Sequence, residues 1–489
     1  MINWNTITDF ITKWYWIPML LIYVGVIITI LSENRKPSKS LAYILVIVFL
    51  PVIGLLVYYF VGRKPVFKKQ VFDRKRLTDK QKMDEYYEQL KPQMEERLQL
   101  LEDNIGDMAF PFRYLNHQKQ SLISTGNTVT LLNNGEEKFP ALFAALQNAR
   151  SHIHLEYYIF TADEVGNRIA DILINKQKEG VEVRVIVDDV GSNHIKKLPT
   201  KFKEAGVQFL KTLPVAFSSL ANSNYRNHRK IVIIDGIVGF IGGINLDERY
   251  WNNGKQNLYW RDTSVRIEGP AVNLLQVQFF LSWFFAGGKD DFGEQNLYFK
   301  MQPQKKGDAI IAIAASGPSS EAPYIMETIL LALSQAKRTI RICTPYFIPT
   351  DELTSALVIA AANGIKVELI LPAKSDSFIV QHASFSFIKP LLQRGVNVYL
   401  YEKGFIHSKT ISIDSSLAFI GTVNMDIRSF YLNFEITSII HEVSLCKACE
   451  ESFEQDKQSS RLVTLEQWQS RSALHRGMDS VCRLMSALL

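Results

Sequence analysis

Residues 227–245 read NHRKIVIIDGIVGFIGGIN, and residues 406–424 read IHSKTISIDSSLAFIGTVN. Each holds a His-x-Lys followed after four residues by Asp: His228, Lys230 and Asp235 in the first, His407, Lys409 and Asp414 in the second. Gly242 and Asn245 follow the first aspartate at the offsets at which Gly421 and Asn424 follow the second. Average residue frequencies make two such matches by accident an event on the order of one in a thousand. The chain therefore carries a duplicated unit.

The duplication extends upstream of both segments. SHIHLEYYIF (151–160), KEGVEVRVIVDD (178–189) and EAGVQFL (204–210) recur in the same order as RTIRICTPYFIP (338–349), ANGIKVELILPA (362–373) and QRGVNVYLY (393–401). Short apolar, β-branched runs alternate with helical stretches, the pattern of an α/β protein whose helices cover a sheet. The pattern predicts a first half over 121–284, a linker rich in Gly, Lys and Gln over 285–307, and a second half over 308–489. With 489 residues, 47% of them hydrophobic, the chain can bury large cores and is neither disordered nor fibrous.

Alternation along a strand puts residues i and i+2 on one face, so His228 and Lys230 point together, as do His407 and Lys409. Asp235 and Asp414, seven residues beyond each histidine, fall in the turn after the strand and are expected to brace it. Each imidazole then needs another carboxylate to fix its tautomer and support its positive charge. Asp262 in YWRDT and Glu435 in LNFEI are the candidates. Two histidines, two lysines and two asparagines suit phosphoryl transfer: a nitrogen nucleophile, a proton donor for the leaving oxygen, and cationic or amide donors around phosphate oxygens. No metal is expected, because an ammonium beside each imidazole repels a divalent cation. The other histidines, at 117, 152, 154, 194, 382, 441 and 475, have no repeated partner and read as core or surface residues. Four cysteines are too few for a disulfide framework, and Cys446-x-x-Cys449 has no second pair to complete a zinc site.

Two apolar runs precede the repeat, Trp14 to Leu31 and Leu41 to Val61. Each lacks a charge and could cross a hydrocarbon core of about 30 Å, which predicts a transmembrane hairpin within residues 1–64, with spans near 14–31 and 41–61. Trp14, Tyr15, Trp16, Tyr58 and Tyr59 suit headgroup depth. The loop between the runs carries Arg35, Lys36 and Lys39, while Arg63, Lys64, Lys68, Lys69, Arg74, Lys75 and Arg76 follow the second run. The heavier basic side is expected to stay cytoplasmic, and with it the repeated halves. Residues 65–120, charged and helically spaced, read as a juxtamembrane connector on the membrane surface or, as the better reading, a plain solvated helix. The formal charge of +6 fits an anionic surface or a phosphate-bearing substrate.

The paired His-x-Lys-x4-Asp segments resemble the HKD motifs of the phospholipase D superfamily over roughly residues 120–485, and with the hairpin in front the chain resembles the bacterial cardiolipin synthases. The resemblance implies two sandwich domains related by pseudo-twofold symmetry with one active site between them. It implies a catalytic set of His228, Lys230, Asp235, His407, Lys409 and Asp414, supported by Asn245 and Asn424. It also implies that His228 is the nucleophile and His407 the acid and base, roles the residues themselves do not separate. The expected reaction joins two phosphatidylglycerols into cardiolipin and glycerol, at the cell membrane, with no cofactor and no nucleic acid. A membrane-anchored hydrolase of the superfamily and a non-catalytic lipid-binding scaffold remain as other readings. One departure stands out: many relatives carry Ser after the downstream Gly, where this chain has Gly243 in one half and Thr422 in the other. TLPVAFSSLANSNY (212–225) and the apolar C-terminal end are candidate rims of a lipid-facing site.

Overall fold

A computed structural model describes residues 13–14, 16–32, 37–62, 92–215, 224–255, 258–289, 298–299 and 307–486. The chain divides into two compact units, one of Met1–Val66 with Ala216–Asn224, the other of Phe67–Val215 and Tyr225–Leu489.

In the first unit, the run expected to span from residue 14 forms the helix Trp16–Ser32. The second expected span does not form as one helix. It is broken into Pro37–Phe49 and Pro51–Val57, followed by a π-helical turn Tyr58–Gly62. Pro51 has no N–H to continue the ladder and its ring excludes the preceding turn. The chain then doubles back so tightly that a Cβ on Gly54 would lie 2.5 Å from the Ile47 Cα. Among the described residues no helix is long and apolar enough to cross a membrane, so the expected pair of spans at 14–31 and 41–61 is not shown.

The second unit is built on a mixed sheet of 15 strands. In the first half, 152–157, 182–188 and 208–212 pair in parallel. Strand 230–234 pairs antiparallel with 152–157, and 238–242, 263–268 and 124–133 continue the sheet antiparallel. The second half repeats this order, with 339–343, 366–372 and 397–401 parallel, then 410–413, 417–421, 435–441 and 309–316 antiparallel, and it adds an edge strand at 460–463. The equivalent strands 124–133 and 309–316 join the two halves antiparallel. One apolar cluster is shared by both, drawing Ile231, Ile233 and Ile241 from the first half and Ala418, Ile420 and Cys446 from the second.

Each motif strand enters a two-residue turn with positive φ, at Asp235–Gly236 and at Asp414–Ser415, the hairpin geometry that Asp and Gly tolerate best. Residues 63–91, which hold the whole juxtamembrane basic cluster and the start of the connector, lie outside the described residues. From residue 92 the connector is not a solvated surface segment. Met94, Leu101, Met108, Phe112 and Leu115 are buried in the second half's core with Ile325 and Ile329, because apolar residues recur there at heptad spacing. Most of the linker expected over 285–307 lies outside the described residues, and its Tyr298 packs on His152 and His154 of the first half.

Candidate active site

Asp235 and Asp414 do not reach the histidines of their motifs. Asp235 accepts the backbone N–H groups of Arg150, Ser151 and His152 at 2.7–3.0 Å. Asp414 accepts those of Lys337, Arg338 and Thr339 at 2.7–2.8 Å. Each ties its hairpin turn to the start of the neighbouring strand and so fixes where the motif strand ends.

Each motif segment is then strapped to the opposite half. The His228 N–H donates to the Phe434 carbonyl at 2.9 Å, and the His407 N–H donates to the Arg261 carbonyl at 2.7 Å. Phe405–Ile406 also pairs in parallel with Trp260–Arg261. These bonds set each histidine beside the residue after its backbone partner. His228 Nδ1 meets both carboxylate oxygens of Glu435, at 2.9 and 3.1 Å, and His407 Nδ1 meets Asp262 Oδ2 at 2.7 Å. Thus the carboxylate of each half orients the histidine of the other. A carboxylate on Nδ1 selects the tautomer whose Nε2 carries the free lone pair.

The carboxylates have unlike surroundings. Glu435 also accepts from the Thr422 hydroxyl and from Asn433 Nδ2. Asp262 accepts from its neighbour's backbone, Thr263 N–H at 2.7 Å, and a Cβ on Gly243 would lie only 2.2 Å from its Oδ1. Both carboxylates are fully buried, which pushes their acidity down. Lys409 and His407 more than offset this for Asp262, as His228, Lys230 and Thr422 do for Glu435, so both are held below the usual carboxylate range.

Burial pushes His228 down, partly offset by Glu435, with Lys230 and Lys409 pushing it further down. Burial and then Lys409 bring His407 to about 3, with Asp262 restoring only part of the loss. Both imidazoles are therefore neutral in the empty site. Lys230 Nζ donates to the His228 carbonyl at 2.8 Å, and Lys409 Nζ lies 2.8 Å from His407 Nδ1 and also meets the His407 carbonyl. Both lysines are buried, and burial lowers both, Lys409 to about 8.

His228 and His407 line one cavity of about 450 Å³, with Asn245, Asn424, Arg226, Arg428, Tyr250 and Asp426 among its walls. Neither lysine ammonium is among the lining groups. Asn245 accepts from the Ile159 N–H at 3.3 Å and donates to the Tyr250 hydroxyl at 2.8 Å. Asn424 Oδ1 is buried with no hydrogen-bond partner. Arg226 was not singled out from the sequence, although it stands two residues before His228; Asp188 positions it at 3.2 Å. Arg428, Tyr158, Tyr250 and Tyr346 were likewise not foreseen, although Arg428 follows Asn424 at the offset at which Arg249 follows Asn245, a repeat that could have marked both arginines. Cys446 and Cys449 are buried on the helix Val443–Gln458, and burial pushes the Cys446 thiol up to about 12, so they pack as small apolar residues.

A family model described as cardiolipin synthase, PLD-like domain, matches residues 142–279 and 329–457, one match in each half. The chain is 37% identical over 470 residues to a cardiolipin synthase of Alkalihalophilus pseudofirmus, covering 96% of this chain and 92% of that one. The chain belongs to the cardiolipin synthase family. Within that family it is also 38% identical over 470 residues to the major cardiolipin synthase of Bacillus subtilis, covering 95% of this chain and 96% of the relative. A second family model, phospholipase D-nuclease N-terminal, matches residues 20–63, the apolar segment ahead of the cardiolipin synthase domains. A phosphatidylserine synthase of Haemophilus influenzae has a similar fold, with a TM-score of 0.58 at 15% identity over 74% of this chain and 95% of that one.

Proposed function

We propose that this cardiolipin synthase transfers a phosphatidyl group from one phosphatidylglycerol to another, giving cardiolipin and glycerol, with His228 as nucleophile and His407 as acid and base. The observation that carries the reading is the convergence of the two imidazoles on one cavity, each held at Nδ1 by a carboxylate of the opposite half.

The His228 Nε2 lone pair attacks the phosphorus of the donor lipid, and the bond from phosphorus to the glycerol oxygen breaks. His407 gives its Nε2 proton to that oxygen. The terminal glycerol hydroxyl of the second lipid then attacks the phosphatidyl-histidine, its proton passes to His407, and the phosphorus–nitrogen bond breaks. One phosphodiester replaces another, so the exchange needs no nucleotide. Glu435 supports the charge that His228 acquires. His407 is neutral in the empty site and gains its proton when an anionic phosphodiester arrives, which raises its affinity for protons. Lys230 and Lys409 supply positive charge beside the histidines, Asn245 and Asn424 offer amide groups to phosphate oxygens, and Asp235 and Asp414 hold the turns. Excluding water from the cavity favours transfer over hydrolysis.

The apolar segment 16–62 anchors the enzyme in the bilayer. Leu21, Ile28, Leu31, Phe49, Val52 and Ile53 are exposed there, and lipid is the solvent that rewards this. Basic residues between 63 and 76 outnumber those of the 32–40 loop and favour a cytoplasmic location for the catalytic halves. The test is full-length enzyme in phosphatidylglycerol vesicles containing EDTA, with products resolved by mass. Cardiolipin with free glycerol is expected. Phosphatidic acid as the main product would replace transfer by hydrolysis, and no turnover would leave a scaffold.

A further inference from the structure

The helix Ala473–Leu484, near the C-terminus, is amphipathic in an inverted sense. At 100° per residue, Leu474, Met478, Val481 and Met485 form one apolar stripe, with Leu484 at its edge. A helix in a globular protein ordinarily turns such a stripe inward. Here Leu474, Val481 and Leu484 are 72%, 64% and 83% exposed, whereas Asp479 is 4% exposed. What faces the protein is the polar flank: Asp479 pairs with His382 at 2.7 Å and with Arg471, and the His475 ring stacks on His382. Only Cys482 joins the second half's apolar core from this helix.

The partner element is the helix Phe378–Ser386, whose first two residues are apolar and turned outward, Phe378 at 61% and Ile379 at 37% exposed, while Val380, Ala383 and Phe385 pack on the core. Asp376 just before it and Val380 within it line the catalytic cavity. The exposed apolar surface is therefore continuous along the chain with the cavity wall. Arg476 and Arg483 are exposed on the same C-terminal helix, and residues 471–486 carry three arginines against one aspartate.

We propose that these two helices form an interfacial docking surface for an anionic phospholipid bilayer, through which lipid reaches the cavity. The Leu474–Val481–Leu484 stripe and Phe378 enter the boundary between headgroups and acyl chains, while Arg476, held to the Gln469 and Arg471 carbonyls, and Arg483, over the Phe387 ring, stay on the flank away from the stripe and add positive charge near the anionic surface. Buried Asp479, clamped between His382 and Arg471, is the positioning residue that keeps the stripe turned outward. The choice of occupant rests on the lipid substrate of the proposed reaction; the outward apolar face does not.

The closing experiment does not depend on turnover. All four native cysteines are buried, so Leu474→Cys in the full-length chain can carry an environment-sensitive fluorophore. In vesicles of phosphatidylglycerol and phosphatidylcholine the emission should shift to the blue and be quenched by nitroxide-labelled lipid. Emission typical of water, or a blue shift without lipid quenching because a second copy or another segment of this chain covers the stripe, overturns the proposal. In parallel, Val481→Glu with Leu484→Glu should lower cardiolipin formation from vesicles roughly tenfold or more, while turnover of a short-chain, monomeric phosphatidylglycerol is unchanged. No loss on vesicles, or equal loss on both substrates, also overturns it. If the quenching is seen and neither substrate is ever turned over, the docking surface stands and the proposed reaction fails.

Discussion

In the half-site around His228, the orienting carboxylate is Glu435, fed by the Thr422 hydroxyl and by Asn433. In the half-site around His407 it is Asp262, one methylene shorter, and Gly243 stands where Thr422 stands in the repeat. No Cβ fits at Gly243, because the Asp262 carboxylate occupies the space that a side chain would fill. The repeat has thus diverged in matched pairs, Thr with Glu and Gly with Asp, and neither member can change alone without disturbing its histidine. The better-supported carboxylate backs the imidazole assigned to carry a phosphoryl group as a charged intermediate. The other backs the imidazole assigned to pick up and release a proton, which burial and Lys409 hold near 3.

The largest break in this comparison comes from removing the imidazoles themselves. His228→Gln and His407→Gln should each lower cardiolipin formation by a factor on the order of a thousand or more. With a phosphodiester whose leaving group needs no proton, His407→Gln should still accumulate a phosphorylated His228, visible by intact mass, whereas His228→Gln should accumulate none. The opposite pattern would exchange the two roles. Next in size is Gly243→Thr, which copies the second half into the first. The added side chain must displace Asp262, and the expected outcome is about a hundredfold lower turnover with roughly 1–3 kcal/mol lost in a denaturant titration. Unchanged turnover would show that Asp262 has room to move. Thr422→Val removes one donor from Glu435 and should cost about tenfold in turnover, from the loss of about 1–2 kcal/mol of charge-assisted hydrogen bonding.

The smallest effect concerns protons. His407 is held near 3 when the cavity is empty, and an anion bound beside it raises its affinity, so binding takes up a proton between those two values. Inorganic phosphate should bind more tightly as pH falls from 8 to 6, by less than about tenfold over the whole range, with proton uptake seen by calorimetry in buffers of different ionisation heat. Binding that takes up no proton beyond phosphate's own titration would remove this role from His407.

The repeated strands and both motif hairpins were legible because β-branched runs and fixed offsets are local properties. Asp262 and Glu435 were legible as residue types, but sequence proximity does not say that each serves the histidine of the other half. That crossing arises from the backbone bonds at Phe434 and Arg261. The heptad of Met94, Leu101, Met108 and Leu115 was present in the sequence and outweighed there by the surrounding charge. In the second apolar run, Pro51 stood in plain view, yet composition alone favoured one continuous helix.

By itself the sequence determined a duplicated α/β unit, two histidines each paired with a lysine at repeated positions and an apolar N-terminal segment, since period, spacing and hydropathy are written along the chain. Only the tertiary structure decided which carboxylate orients which histidine, that the lysines turn to backbone carbonyls, and that the last helix shows its apolar face to the outside. Those depend on which groups compete for the same buried donors and acceptors once distant segments are brought within about 3 Å of each other.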